Sequence, residues 1–172
     1  MSRVTAQLSP VSLDEYATFV AAQIEEFAHE KVRAGHWRAE DARDLSRHAV
    51  ESFLPKDGSR PGHRVWKVVA AQGARVGWIW VGPPPIQALA VPSKRWLYQI
   101  TIEASERGRG YGRAALAAVE ALLAGEGVRE LYLHVFRWNV VARSLYDSSG
   151  YEVVEDSDTE TGMRKTLGRK ER

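Results

Sequence analysis

Residues 105–116 read SERGRGYGRAAL, with three glycines and three arginines between positions 107 and 113 and an apolar run directly after them. A segment passing from a strand's end into a helix exposes the first free N–H groups of that helix and the positive end of its dipole. Glycines let such a backbone approach an anion closely, and the expected ligand is a phosphate or pyrophosphate. Two familiar nucleotide motifs do not fit. A G-x-G-x-x-G fingerprint started at Gly108 needs glycine at 113 and meets Arg113, and there is no Gly-Lys-Ser/Thr ending. The same residues also read as a plain turn whose glycines permit positive φ, so the flanking sequence decides.

Just upstream, WLYQITI alternates, predicting a strand with Trp96, Tyr98, Ile100 and Ile102 on one face. Just downstream, Leu116, Val119 and Leu123 recur at helical spacing, predicting a helix over about 112–124 with Gly125 and Gly127 as stops. ELYLHVF is a further alternating strand, Asn139 opens a short helix that Gly150 ends, and YEVV and MRKTL are the last strand candidates. Before the loop, HRVWKVVAA and ARVGWIWVG form a hairpin through Gln72-Gly73. GPPPIQALAVPSK is too proline-rich for a sheet interior. The first third is helical. Ser12 and Glu15 have capping-box spacing ahead of Tyr16, Phe19, Val20, Ile24 and Phe27, in a helix fading near Gly35. A second helix is expected over about 40–54, with Leu45, Val50 and Phe53 inward and Pro55 after its end. The predicted order, α-α-β-β-β-α-β-α-β-β, is a mixed α/β (α+β) sheet with helices on its faces.

Length and composition bound the function. A chain of 172 residues is expected to be one domain, 1–172, able to build a core without staples. With no cysteine there is no disulfide framework or thiolate metal site, which fits a reducing cytoplasm. The start, MSRVTAQLSPVSLDEY, has no long apolar run, so neither a signal peptide nor a membrane partner is expected. The net charge is +2 and no basic stripe interleaves with aromatics, so nucleic acid is not expected either. His29-Glu30 begins like a metalloprotease helix, but the second histidine's place holds Arg33, and no metal is expected. Trp78 and Trp80 share a strand face, read as core packing, with an acceptor groove or a contact making a homodimer as the sharper use.

Arg107-x-x-Gly110-x-Gly112 is followed, some thirty residues on, by Asn139-x-x-Ala142, then Leu145-Tyr146, then Gly150-Tyr151. In this order and separation the two motifs resemble those of the GNAT superfamily of N-acetyltransferases, over about 96–167, and the chain is similar to uncharacterised bacterial members. The resemblance implies an acyl-coenzyme A N-acyltransferase fold, a mostly antiparallel sheet flanked by helices and splayed between its fourth and fifth strands. It implies an acetyl-coenzyme A-binding core over about 63–167, with the helical part at about 12–54 shaping the acceptor site. It also implies acetyl-coenzyme A as cosubstrate. Arg107, Gly108, Arg109, Gly110, Tyr111 and Gly112 would hold its pyrophosphate, and its pantetheine arm would pair with backbone around Ile100, Thr101 and Ile102 as an added strand does. Arg113 runs against the helix dipole, which suits a ligand contact or plain solvation.

Acetyl transfer to an amine requires that the ammonium lose a proton, that the oxyanion find donors and that the leaving thiolate gain a proton. The resemblance implies the backbone N–H near Ile102 as oxyanion donor and Tyr146 as the acid, with Asn139 two helical turns before it on the same side. Residue by residue, Tyr146 also reads as a half-buried packing tyrosine and Asn139 as an N-cap. The base stays open between Glu103, His134 and a water chain, with Glu106 read as a surface charge. The acceptor, a small-molecule or peptide amine, stays open too. Two functions follow: an acetyl-coenzyme A-dependent N-acetyltransferase acting by direct attack of a primary amine, or a non-catalytic acyl-coenzyme A-binding sensor.

Overall fold

The computed structural model describes residues 4–168, which divide into two compact units: Val11–His63, and the remainder on either side of it. The first unit is a helical pair, α1 (Leu13–Arg33) and α2 (Ala39–Phe53). The predicted capping box closes α1, with the Ser12 hydroxyl accepting from Glu15 N–H and the Glu15 carboxylate accepting from Ser12 N–H at 2.8 Å. Tyr16, Phe19, Val20, Ile24 and Ala28 are buried along α1. On α2 the buried stripe is Ala42, Ser46 and Val50, while Leu45 is exposed and Phe53 half-buried. The expectation of Leu45 as an inward residue fails because a polar residue takes the inner stripe. The Ser46 hydroxyl donates to the Ile24 carbonyl at 2.6 Å and crosses between the helices.

The second unit is a seven-stranded sheet with two helices. Its strands are β1 (Ala6–Pro10), β2 (Arg64–Ala70), β3 (Arg75–Gly82), β4 (Lys94–Ile102), β5 (Glu130–Phe136), β6 (Glu152–Asp156) and β7 (Glu160–Thr166), in the spatial order β1-β2-β3-β4-β5-β7-β6. Helices α3 (Tyr111–Gly125) and α4 (Val140–Ser148) follow β4 and β5. Every neighbouring pair is antiparallel except β4 with β5. The mixed, mostly antiparallel sheet is thus as expected, with β1 added; only Ala6 and Leu8 mark that strand as apolar. One core joins Val68, Val76, Ile79, Val81, Leu97, Leu131, Leu133 and Met163 of the sheet to Leu116, Val119 and Leu123 of α3. Fully burying each such aliphatic side chain contributes about 1.5–3 kcal/mol.

A β-bulge decides which way β4 presents its residues. Trp80 pairs with Gln99 but Val81 pairs with Leu97, so Tyr98 is the extra residue. A bulge reverses the parity of the side chains beyond it. Leu97 lies in the core and Ile100 packs on that same core, although they are three apart. Trp96 faces the other way and stacks on Tyr132, with ring centroids 6.3 Å apart. Trp96, Tyr98, Ile100 and Ile102 therefore do not share a face: Ile102 lies within reach of Gly112 on α3, while Tyr98 stacks on Trp80 at 4.4 Å.

Candidate functional site

The parallel ladder between β4 and β5 consists of three pairs, Lys94–Glu130, Arg95–Leu131 and Trp96–Tyr132. Beyond Trp96 the strands separate, and the bulge at Tyr98 begins two residues later. Ile100, Thr101 and Ile102 lie in this open part of β4. Glu103 N–H donates to the Val76 carbonyl on the β3 side at 2.8 Å. Successive backbone groups alternate across a strand, so Ile102 presents its N–H and carbonyl to the β5 side, where the strands have parted. Arg107 Nε donates to that carbonyl at 3.0 Å.

The glycine loop turns directly from β4 into α3. Gly108 (φ 73°) and Gly110 (φ 90°) are both left-handed, a conformation that L side chains rarely adopt. Gly110 is the N-cap of α3 and offers no side-chain cap. The first backbone bond of the helix runs from Ala114 N–H to the Gly110 carbonyl at 3.1 Å. The N–H groups of Tyr111, Gly112 and Arg113 thus precede the helical ladder. Free amides at a helix start and the positive end of its dipole are chemistry suited to an anion such as a phosphate.

The loop's side chains do more structural work than their charge suggests. Arg109 pairs with Glu106 at 3.1 Å, and the Tyr111 ring packs on the core. Arg113 donates to the Ser148 hydroxyl at 2.6 Å and the Ser148 carbonyl at 3.3 Å, clamping the start of α3 to the end of α4. Arg113 is exposed, so this clamp adds a structural role to the solvation expected of it.

The second motif forms α4. Asn139 is its N-cap, its Oδ1 accepting from Ala142 N–H at 3.2 Å. Tyr146 is buried, with its ring edge-on to Tyr151 at 5.6 Å. The Tyr151 hydroxyl donates to Glu120 Oε1 at 2.9 Å, and Lys165 Nζ reaches Glu120 Oε2 at 2.5 Å. Burial and then the Glu120 charge push the Tyr151 phenol far above its usual range. Tyr151 is thereby committed to structure, and Tyr146 lies beside it in the same core.

Of the candidate bases, Glu103 is paired with Arg75 at 3.1 Å. His134 lies on β5 two residues beyond the last pair with β4, on the face away from the core. Its Nε2 is 3.5 Å from Glu155 and its Nδ1 3.9 Å from Glu160. The sequence did not single out Glu155, Glu160 or Gly162, the last of which lies between Glu155 and His134 in the sheet. The signal available was the isolated glycine of ETGMRKT, since a glycine inside a strand marks a close approach.

Known proteins share this architecture. YycN of Bacillus subtilis, described as an uncharacterised N-acetyltransferase, is 32% identical over 95% of this chain and all of its own length. Its crystal structure superposes with a TM-score of 0.82 over 89% of this chain and 96% of that one. YdgE of the same organism, described likewise, is 29% identical over 93% of this chain and 97% of its own. The PaiA N-acetyltransferase of Thermoplasma acidophilum, solved with coenzyme A, shares the fold at a TM-score of 0.68 and 18% identity, covering 96% of this chain and 99% of that one. Residues 18–151 match the model of the Acetyltransferase (GNAT) family. This span includes the glycine loop, the parted strands and α4, and the chain belongs to the GNAT family of acetyltransferases.

Proposed function

We propose that the protein transfers an acetyl group from acetyl-coenzyme A to a primary amine by direct attack. The observation carrying this reading is the left-handed, uncapped glycine turn at the start of α3, set beside the parted ends of β4 and β5. The pyrophosphate binds the amides of residues 108–112, with Arg107 and Arg109 adding positive charge. The pantetheine arm extends the sheet along Ile100–Ile102, and the Ile102 N–H receives the oxyanion. Asn139 fixes the start of α4, and Tyr146 gives its proton to the departing thiolate.

Cofactor binding is tested by melting. A ligand at a hundred times its dissociation constant stabilises by about 2.7 kcal/mol, and each kcal/mol shifts the melting point of a chain this long by roughly 2–4 °C. Coenzyme A or acetyl-coenzyme A is expected to raise Tm by roughly 5–11 °C. No shift at millimolar ligand overturns the proposal. Thiol release from acetyl-coenzyme A across a panel of amines tests transfer. Binding without turnover on any amine supports the sensor function instead.

A further inference from the structure

On the sheet face away from α3 there is a cavity of about 230 Å³, lined by Ile86, Leu89, Trp96, Tyr132, His134 and Glu155 among others. It adjoins the point where β4 and β5 part, since Trp96–Tyr132 is their last pair. Its two ends differ in charge. At the Tyr132 end, Lys94 lies over the ring at 5.7 Å and pairs with Glu130 at 3.4 Å, and Arg164 is the β7 partner of Tyr132. At the other end His134 faces Glu155 from β6 and Glu160 from β7, and meets the edge of Trp96 at 4.9 Å. Glu155 lines the cavity and Glu160 lies behind the ring.

Gly162 makes this end what it is. It pairs with both His134 and Glu155 across the sheet. A Cβ there would stand 3.1 Å from His134 Nε2 and 3.1 Å from Glu155 Cβ. A glycine inside a strand weakens it, and here it leaves room for imidazole and carboxylate to meet across β7. Their separation of 3.5 Å is longer than a good hydrogen bond. An ammonium N–H donating to each would bridge them.

We infer that this cavity is the acceptor site for a small primary amine on an apolar or aromatic body, and that His134 is the base that deprotonates it. The inference rests on the acetyl-transfer reading above. Glu155 and the Trp96 face attract the ammonium, Ile86 and Leu89 contact its body, and Glu160 orients the ring. The volume is below the 300–1,000 Å³ typical of pockets for drug-sized ligands, which selects a small amine. His134 Nε2 takes one ammonium proton and later releases it to solvent. The freed lone pair forms the C–N bond, and the C–S bond of the thioester breaks. The second nitrogen proton replaces the one that Tyr146 gives to sulfur. One ammonium and one thioester yield one amide, one thiol and one proton.

The test uses isoamylamine and phenethylamine as probes, with isoamyl alcohol as the uncharged control. Calorimetry on the full chain measures binding, and thiol release measures turnover against pH. Binding of the amines but not the alcohol is expected. Glu155→Gln should raise the amine KM about 3–5-fold, as for an exposed charge pair. His134→Gln should lower kcat about 10²–10⁴-fold and remove the acid limb of its pH profile. Gly162→Ala should lower kcat and raise the amine KM together, by displacing the ring and Glu155 alike. All three variants should keep the melting shift with coenzyme A, which shows them folded. Amine affinity unchanged by Glu155→Gln, or a kcat unchanged by His134→Gln, overturns the inference, as does a wild-type protein that neither binds nor turns over these amines. A wild-type protein that binds the amines through Glu155 but shows no shift with coenzyme A overturns the donor reading and leaves the amine site standing.

Discussion

Tyr146→Phe removes one oxygen and leaves the ring edge-on to Tyr151 at 5.6 Å, so packing and cofactor affinity should hardly change. A positioned general acid contributes about 10²–10⁴-fold. A thiol of pKa near 8.5 leaves partly unaided, so the expected loss in kcat is about 10–100-fold, reaching only the low end of that range. The loss should shrink as pH approaches the thiol's own pKa, because the leaving group then needs no proton. Steady-state turnover of both proteins across pH checks this, and an unchanged rate at unchanged affinity returns Tyr146 to packing alone. The motif residues were readable one by one because backbone geometry demands them: left-handed turns at Gly108 and Gly110, a side-chain cap at Asn139. The partners of Arg113 and His134 were not, because Ser148, Glu155 and Glu160 reach them through tertiary packing that no local spacing encodes.

At the scale of elements, α3 is tied to the site at one end and to the sheet along its length. Valine at 110 must adopt φ near 90°, a strain of about 1–3 kcal/mol. Its Cβ meets Val4 at an ordinary 3.7 Å, so the fold should survive. Relief of that strain would shift the amides proposed to meet the pyrophosphate, and Gly110→Val should abolish the melting shift with coenzyme A. A shift like the parent's would remove the loop from phosphate binding. Further along, Glu120 binds the Tyr151 hydroxyl and the Lys165 ammonium from a position only 12% exposed. Glu120→Ala leaves both groups with an empty partner. Losing this part-buried acceptor costs about 1–3 kcal/mol, a Tm loss of roughly 2–12 °C, measurable by calorimetry. Helices and hairpins were legible because their periods are local, as with Leu116, Val119 and Leu123 on α3. The faces of β4 were not, because the extra residue at Tyr98 is defined by its pairing with β3. Nor was β1, whose residues pair with β2 from across the whole helical unit in sequence.

Over the whole molecule, none of the described helices is long and apolar enough to cross a membrane. Acid should destabilise it in two windows that belong to different units. His63, at the end of the helical unit, has its imidazole pushed down to about 4 by burial and by the Arg60 charge. The unfolded chain takes up this proton near pH 6.5 while the folded protein resists it. Stability from this group is therefore complete above about 6.5 and lost as pH falls toward 4. In the sheet unit, the Arg64 guanidinium holds the Glu126 carboxyl below its usual range, and the Tyr132 hydroxyl and Lys94 do the same for Glu130. Their contribution is present above the ordinary carboxylate pKa and lost as pH falls through the depressed values. His63→Gln removes the first proton and keeps a polar side chain of similar reach. The variant should show a flatter Tm between pH 6.5 and about 4.5 and an unchanged decline below that. Thermal melts of both proteins over this range decide it. Parallel curves throughout would mean that His63 is solvated enough to take its proton in the folded state.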